Sequence, residues 1–326
     1  MVTKTQSPPA GAQAVHALVP GTLTIAVLMG GGSREREVSL ASGGAVVAAL
    51  REIGHHVSPL DVKPGDVGPR LLAGTDVAFL ALHGAWGEDG GIQAELEAIG
   101  MAYTFSGPEA SRLAMDKAAS KQLFLRHGVP TPPSVVAKRG DDRAVRGAWV
   151  LLGPDVVVKP VAEGSSIGVA LCIDPASVDR AVAKVWADYD AALIERRVVG
   201  REFTVAVLGE EALPILEIRT PSGVYDYNDK YYADTTQYIF DHGLGRADAA
   251  AIAGSALAAH RALGCRDLSR VDVMWSTAGE PQVLEVNTIP GFTGHSLVPK
   301  AAARAGVPFG RLCERLLGMA LERAHR

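Results

Sequence analysis

Short apolar runs alternate with glycine-rich breaks and helix-length amphipathic stretches along most of this chain. Leu23-Thr24-Ile25-Ala26-Val27-Leu28-Met29 carries no charge and reads as a buried strand. After the glycines that follow, Ser39 is placed to cap a helix running to about Glu52, with Gly54 as its stop. His56 to Leu60 and Asp76 to Leu82 read as further strands. Strand, glycine turn, helix, strand is the pattern of a parallel βαβ sheet. Ligand sites of such sheets lie at the carboxyl ends of the strands. Three loops fall there: Gly30 to Glu35, His83 to Gly91, and Phe105-Ser106-Gly107.

Beyond Gly107 a helix holding Met115-Asp116-Lys117 is expected to reach about His127 and stop at Gly128. Val156 to Pro160 and Val169 to Ile173 read as two strands of a hairpin, with Glu163-Gly164-Ser165-Ser166-Ile167-Gly168 at its tip. Ser177 to Ala187 is helical, and Ala192 to Glu195 a strand. Strands follow near Glu202–Leu208 and Ala212–Ile218, then a polar, aromatic loop from Tyr225 to Tyr238. A helix of about Ala247–Leu263 precedes strands Arg270–Trp275 and Leu284–Thr288, joined by a Thr277-to-Glu280 turn. Helices near Val298–Ala305 and Phe309–Ala324 end the chain, and no internal repeat is visible.

The 326 residues suit two or three domains. With 48% hydrophobic and 21% charged residues the chain is globular rather than disordered. A formal net charge of −4 gives no general attraction to nucleic acid or an anionic membrane. No apolar run approaches the ~20 residues of a membrane span. Cys172, Cys265 and Cys313 are scattered without disulfide or zinc spacing, which fits a reducing cytoplasm. Residues 1–20, with Pro8, Pro9 and Gly11 and no periodicity, read as a flexible tail.

Candidate chemistry concentrates near the end. Side chains two apart on a strand share a face, so Glu285 and Asn287 project together. If Asp272 lies opposite Glu285, two carboxylates and an amide oxygen converge, a hard-oxygen set suited to Mg²⁺. The same residues on a solvated hairpin face would be merely charged. Lys159 stands in a run of valines, where a lysine is seldom buried without a partner, and a phosphate would serve. The Ser165 loop offers hydroxyls and backbone N–H groups to phosphates, although such a hairpin also occurs with no ligand. Glu195 and Glu202 flank a strand crossing, either as a surface charge cluster or as the edge of a purine and ribose pocket. His83 ends an apolar strand beside the Glu35 loop, and Arg270 opens the metal strand. An acid for an ammonium and an arginine for a carboxylate suit an amino-acid substrate. Gly291 offers an N–H that can stabilise an oxyanion.

In their joint order these motifs resemble the D-alanine–D-alanine ligase family of the ATP-grasp superfamily, from about Thr24 to the C-terminus. The segments that carry the likeness are Gly30 to Ser39, Leu82-His83-Gly84, Met115-Asp116-Lys117, Glu163 to Gly168, Tyr225-Asp226-Tyr227 with Lys230-Tyr231, and Glu285 to Gly291. The resemblance implies an α/β (α+β) chain with a three-domain ATP-grasp fold. Its parts would be the tail 1–20, an N-terminal parallel βαβ substrate domain 21–106, a central domain 107–194, and a C-terminal domain 195–326 with the metal site. It implies ATP phosphates near Lys117 and Lys159, adenine near Glu195 and Val198, ribose near Glu202, and Ser166 and Lys230 also at the ATP site. Asp272, Glu285 and Asn287 would hold two Mg²⁺ (or Mn²⁺) ions. Glu35 would take the first D-alanine's ammonium and form a trio with Ser165 and Tyr231, while His83 lines that site. Arg270 and Gly291 would stabilise the tetrahedral intermediate, and Ser296 and Leu297 would contact the second D-alanine. Relatives of this kind are homodimers of the bacterial cytoplasm that make a peptidoglycan dipeptide. The rivals are a D-alanyl-D-lactate ligase and a non-catalytic ATP module. The Lys230-Tyr231 pair resembles the dipeptide-forming branch, and intact Lys159, Arg270, Asp272, Glu285 and Asn287 speak against a module without catalysis.

Overall fold

The first apolar run forms strand β1 (Thr24–Gly30) in a computed structural model that describes residues 19, 21–220, 235–294 and 296–325. β1 lies between β2 (His56–Val62) and β3 (Val77–Leu80), parallel to both, as a charge-free strand with partners on each edge should. Helix α1 (Arg36–Glu52) makes the crossover. It begins three residues before Ser39, which is no cap. Ser39 is fully buried inside the first turn, where its hydroxyl takes the Gly30 N–H and donates to the Ala81 carbonyl. It therefore ties helix to sheet, a tertiary use that local capping rules do not register.

Helix α2 (Gly91–Ala98) follows the His83 loop, and the stretch expected as one helix through Lys117 is two. α3 (Pro108–Met115) ends at Asp116, whose backbone is extended and whose carboxylate accepts the Ala119 N–H, capping α4 (Lys117–Arg126). A capping aspartate offers the backbone a competing arrangement, and here that arrangement prevails. The second sheet holds β4 (Ser134–Lys138), β5 (Val156–Pro160), β6 (Ala170–Cys172) and β7 (Ala191–Arg196) in the order β4-β7-β5-β6, all antiparallel. β5 and β6 are the anticipated hairpin. Helices α5 (Asp142–Leu152) and α6 (Pro175–Asp188) cover this sheet and bury Val145, Ala148, Val178 and Val182 against Val156, Val158 and Ile194.

The third sheet contains β8 (Gly200–Leu208), β9 (Glu211–Ala212), β10 (Leu216–Arg219), β11 (Gln237–Ile239), β12 (Leu268–Ser276) and β13 (Pro281–Asn287), in the order β11-β10-β8-β12-β13 with β9 on β8. The run expected from Ala212 to Ile218 is thus two strands, and Pro214, which has no N–H to give a ladder, lies between them. Helix α7 (Arg246–Ala262) packs on this sheet, and Ala114 and Phe124 of the α3–α4 pair join the same core. The closing helices α8 (Leu297–Arg304) and α9 (Phe309–Ala324) return to the first sheet. Phe292 joins them there, its ring 5.7 Å from Phe79 and 5.9 Å from Phe105. That aromatic cluster fixes the Pro290–Gly291 segment of the third unit against the strand ends of the first. No helix among the described residues is long and apolar enough to cross a membrane.

Candidate active site

The antiparallel register of β12 and β13 sets Asp272 opposite Glu285 and Arg270 opposite Asn287. Asp272 is buried and accepts from Thr204 at 2.7 Å, from Arg270 Nε at 3.0 Å and from Arg270 Nη2 at 2.9 Å. The Asn287 amide lies 3.4 Å from the same carboxylate. Glu285 pairs with Lys117 at 3.2 Å. Two carboxylates and one amide are therefore brought together. No third histidine, cysteine or carboxylate completes a metal cluster among the described residues. A hard-oxygen set of this size fits Mg²⁺, which keeps water and phosphate oxygens in its remaining positions.

Next to it a cleft of about 1130 Å³ opens between the second and third sheets. Lys117, Lys159, Ser166, Glu195, Val198 and Glu202 all line it, together with Asp272 and Glu285. Strand β5 directs Lys159 into this cleft, where its ammonium meets Glu195 of β7 at 2.9 Å. A second buried ammonium, Lys121 of α4, reaches the other oxygen of Glu195 at 2.6 Å. Burial opposes ionisation of Glu195, yet the two lysines outweigh it and hold the carboxyl below its ordinary pKa. Lys121 was not foreseen. Its one sequence signal is its spacing, four residues after Lys117 on the same helix face.

The loop at the β5–β6 hairpin tip is pinned from three sides. Its Glu163 carbonyl accepts from Lys117 at 2.5 Å, and its Glu163 carboxylate accepts from Tyr189 at 2.5 Å. The Ser165 hydroxyl donates to Glu35 of the first unit. Ser165 and Ser166 both have left-handed backbones, φ +51° and +57°, a conformation that costs a non-glycine residue about 1–2 kcal/mol. That turn aims Ser165 at Glu35 and Ser166 at the cleft.

Glu35 lines a smaller cavity of about 420 Å³ with His83, Glu88, Ser165, Arg270, Asn287 and Gly291. Gly84, at φ +70°, lets the His83 loop approach, because a Cβ there would stand 3.0 Å from Glu35 Oε2. Burial, and then the charge of Glu88, raise the Glu35 pKa. Burial would depress His83, but its contact with Glu88, 3.4 Å away, and the charge of Glu35 leave it raised instead. Glu88 was not anticipated as a member. Its carboxylate also receives the Gly84 N–H at 3.0 Å and so shapes the loop. Ser42 was likewise unforeseen: buried on α1, it lies 3.3 Å from His83 Nε2 and accepts the Phe292 N–H at 3.1 Å. Ser296 caps the space beside Gly291, its hydroxyl 3.3 Å from where a Cβ would be, and Leu297 begins α8, but neither borders the smaller cavity. Lys230 and Tyr231, with most of the Tyr225–Tyr238 loop, lie outside the described residues.

A third, narrower space of about 340 Å³ touches Lys117, Glu163 and Glu285 on one side and Glu88 and Asn287 on the other. The metal-type residues thus separate a lysine-lined cleft from a carboxylate-lined cavity.

This geometry has close relatives. Residues 123–318 match the family model described as the D-ala D-ala ligase C-terminus. A D-alanine–D-alanine ligase of Alcanivorax borkumensis is 47% identical over 92% of this chain and 94% of its own. The crystal structure of a D-alanine–D-alanine ligase from Bacillus anthracis superposes with a TM-score of 0.82 at 32% identity, over 93% of this chain and 99% of that one. A second structure from Bacillus anthracis, complexed with ATP, gives 0.80 at 29% identity, again over 93% and 99%. With likeness of this extent in sequence and in fold, the chain belongs to the D-alanine–D-alanine ligase family.

Proposed function

We propose that this protein joins two molecules of D-alanine into D-alanyl-D-alanine, converting ATP to ADP and phosphate, as a supplier of peptidoglycan precursor in the cytoplasm. One observation carries the reading. A cleft with two lysines meets a cavity with an acid–histidine pair across Asp272, Glu285 and Asn287. That is the layout a phosphoryl donor and an amino acid need if they are to react at one point.

In this reading Lys117 and Lys159 take the phosphates, Glu195 and Val198 the adenine, and Glu202 the ribose. Asp272, Glu285 and Asn287 would hold Mg²⁺ or Mn²⁺, which when bound neutralises charge on the phosphates. Glu35 holds the first D-alanine's ammonium and His83 borders it. The substrate carboxylate is a poor acyl donor, since its leaving group would be oxide. Its oxygen attacks the γ-phosphorus, the bond to ADP breaks, and a D-alanyl phosphate with a good leaving group results. The amine of the second D-alanine then attacks the acyl carbon, losing a proton, and phosphate departs. Arg270 and the Gly291 N–H face the oxyanion of that step. Three anchors on the Ser165 loop keep it over the site, where water would hydrolyse the acyl phosphate. The three sheets then serve as three domains around one reaction.

The test is a coupled assay with ATP, D-alanine and D-lactate as separate additions, with products resolved by mass. Phosphate release that requires D-alanine, with the dipeptide as product, is the expected result. Phosphate release with no dipeptide sinks the assignment, and a D-lactate ester as main product moves it to the rival ligase.

A further inference from the structure

The Lys121–Glu195–Lys159 cluster holds one carboxylate between two ammonium groups at the wall of the cleft, and the reaction as described uses only two of the three. Lys121 is 3% exposed. Its ammonium donates to the Thr131 hydroxyl at 2.7 Å and the Pro132 carbonyl at 2.8 Å and forms an ion pair with Glu195 at 2.6 Å. Thr131 in turn donates to the Val283 carbonyl at 2.8 Å, two residues before Glu285 on β13. One ammonium therefore joins α4, the turn before β4, β7 and the metal strand. It cannot reach a nucleotide while it makes these bonds.

Lys159 has a different situation. It is directed into the cleft and its ammonium donates to Glu195 at 2.9 Å. To meet a phosphate it must give up some or all of that bond. How readily it does so depends on how much of the Glu195 charge is already satisfied elsewhere.

We infer that Lys121 is a positioning residue for the nucleotide, acting through Glu195: by sharing that carboxylate it frees Lys159 to bind phosphate and fixes Glu195 at the base pocket. This inference rests on the reading of the cleft as the ATP site. With Lys121 charged, Glu195 keeps a partner when Lys159 turns toward phosphate. With Lys121 neutral, Glu195 faces Lys159 alone, and withdrawing that ammonium would leave a buried carboxylate unpaired, a costly state. Burial pushes the Lys121 ammonium down to about 8, against the pull of Glu195 and with help from the repulsion of Lys159. Those two are the charged groups facing it, from β7 and β5; Thr131 and Pro132 are neutral. The switch consequently falls in a range where enzymes are assayed.

The experiment measures steady-state KM for ATP and kcat between pH 6.5 and 9.5, at saturating D-alanine. In the wild type, KM for ATP rises about tenfold (~1.4 kcal/mol) through a midpoint near 8, with kcat changing less than about twofold. Lys121→Met shows the raised KM at every pH and no midpoint. Thr131→Val keeps the ion pair but removes one acceptor from the ammonium, so the midpoint moves to lower pH; this arm stands even if Lys121→Met does not fold. A flat KM profile in active wild-type enzyme overturns the inference, as does a profile that Lys121→Met or Thr131→Val leaves unmoved. Wild-type enzyme with no D-alanine-dependent ATP turnover would overturn the functional reading instead, so the two failures are distinct.

Discussion

In the cleft proposed for the nucleotide the buried carboxylate Glu195 stands between two ammonium groups and its pKa falls; in the cavity proposed for the amino acid the buried carboxylate Glu35 stands near a second carboxylate, Glu88, and its pKa rises. Both are glutamates and both are buried, at 2% and 8% exposure. Burial works in the same direction on each. At Glu35 burial raises the pKa and Glu88 adds to it, whereas at Glu195 the two lysines reverse the effect of burial, so the neighbours make the difference between them. One half of the site has its charges settled before any ligand arrives. The other half sets two carboxylates, Glu35 and Glu88, beside His83, and under the proposed function the ammonium of D-alanine adds a positive charge there.

The largest test strikes the boundary between the halves. Glu285→Ala removes a carboxylate from the metal-type set and leaves Lys117 without its 3.2 Å partner. Turnover should fall by roughly a thousandfold, the scale on which charge stabilisation acts in phosphoryl transfer. Far-ultraviolet circular dichroism should match the wild type. A rate within tenfold of wild type would remove Glu285 from the chemistry.

Glu35→Gln probes the half with the two carboxylates. Without the carboxylate, kcat/KM for D-alanine should fall about a hundredfold, the equivalent of ~2.7 kcal/mol for a charge-assisted contact. The same change should make the unliganded protein more stable at pH 7. The folded-state pKa of Glu35 is raised, so folding favours its protonated form. The associated stability is fully present below the unfolded-state pKa and is lost as pH rises through the folded-state value. Gln never ionises, so it avoids that loss. Thermal melts should place Glu35→Gln above wild type at pH 7 and level with it at pH 4. A variant that melts lower at pH 7 would mean the Ser165 contact outweighs the desolvation of Glu35.

A finer cut removes the repulsion and keeps Glu35. Glu88→Gln should let Glu35 ionise more easily, shifting the acid limb of kcat/KM for D-alanine to lower pH. The Gly84 N–H and His83 would retain an amide oxygen to contact. An acid limb that stays where it is would show that burial alone governs Glu35.

The two halves also differ in how far the sequence reveals them. Strands β1 and β5 were legible as apolar runs ending at Gly30 and Pro160, and β12 and β13 as mixed apolar and polar runs either side of a short turn. The pairing of Asp272 with Glu285 stood in the sequence as a condition, and the register meets it, with an irregularity just after Asp272. Lys159 was legible because a charge among valines demands a partner. Lys121 and Glu88 were not, since a lysine on a polar helix and an acid in a glycine loop have the same local pattern whether solvated or buried. Their partners come from elsewhere in the chain: the turn at Thr131 for Lys121, and His83 and the charge of Glu35 for Glu88. Ser39 misled for a related reason, because its hydroxyl serves the sheet and not its own helix end.

The smallest expected effect asks whether the halves stay separate when one is loosened. Asp116 caps α4 through the Ala119 N–H at 2.9 Å, and α4 carries Lys117 at its first position and Lys121 one turn on. Asp116→Ala should cost about 1 kcal/mol of stability. The same loss should let the first turn of α4 fray, where Lys117 holds both the Ser165 loop and Glu285. KM for ATP should then rise by roughly twofold to fivefold, a fraction of the ~1.4 kcal/mol that a tenfold change represents. KM for D-alanine should change less, because α4 reaches Glu35 only through the Ser165 loop and carries neither His83 nor Glu88. Asp116→Asn keeps a capping oxygen and should restore both stability and ATP binding. Equal rises in the two KM values for Asp116→Ala would mean that the halves share one rigid frame and that their contrasting electrostatics do not make them independent.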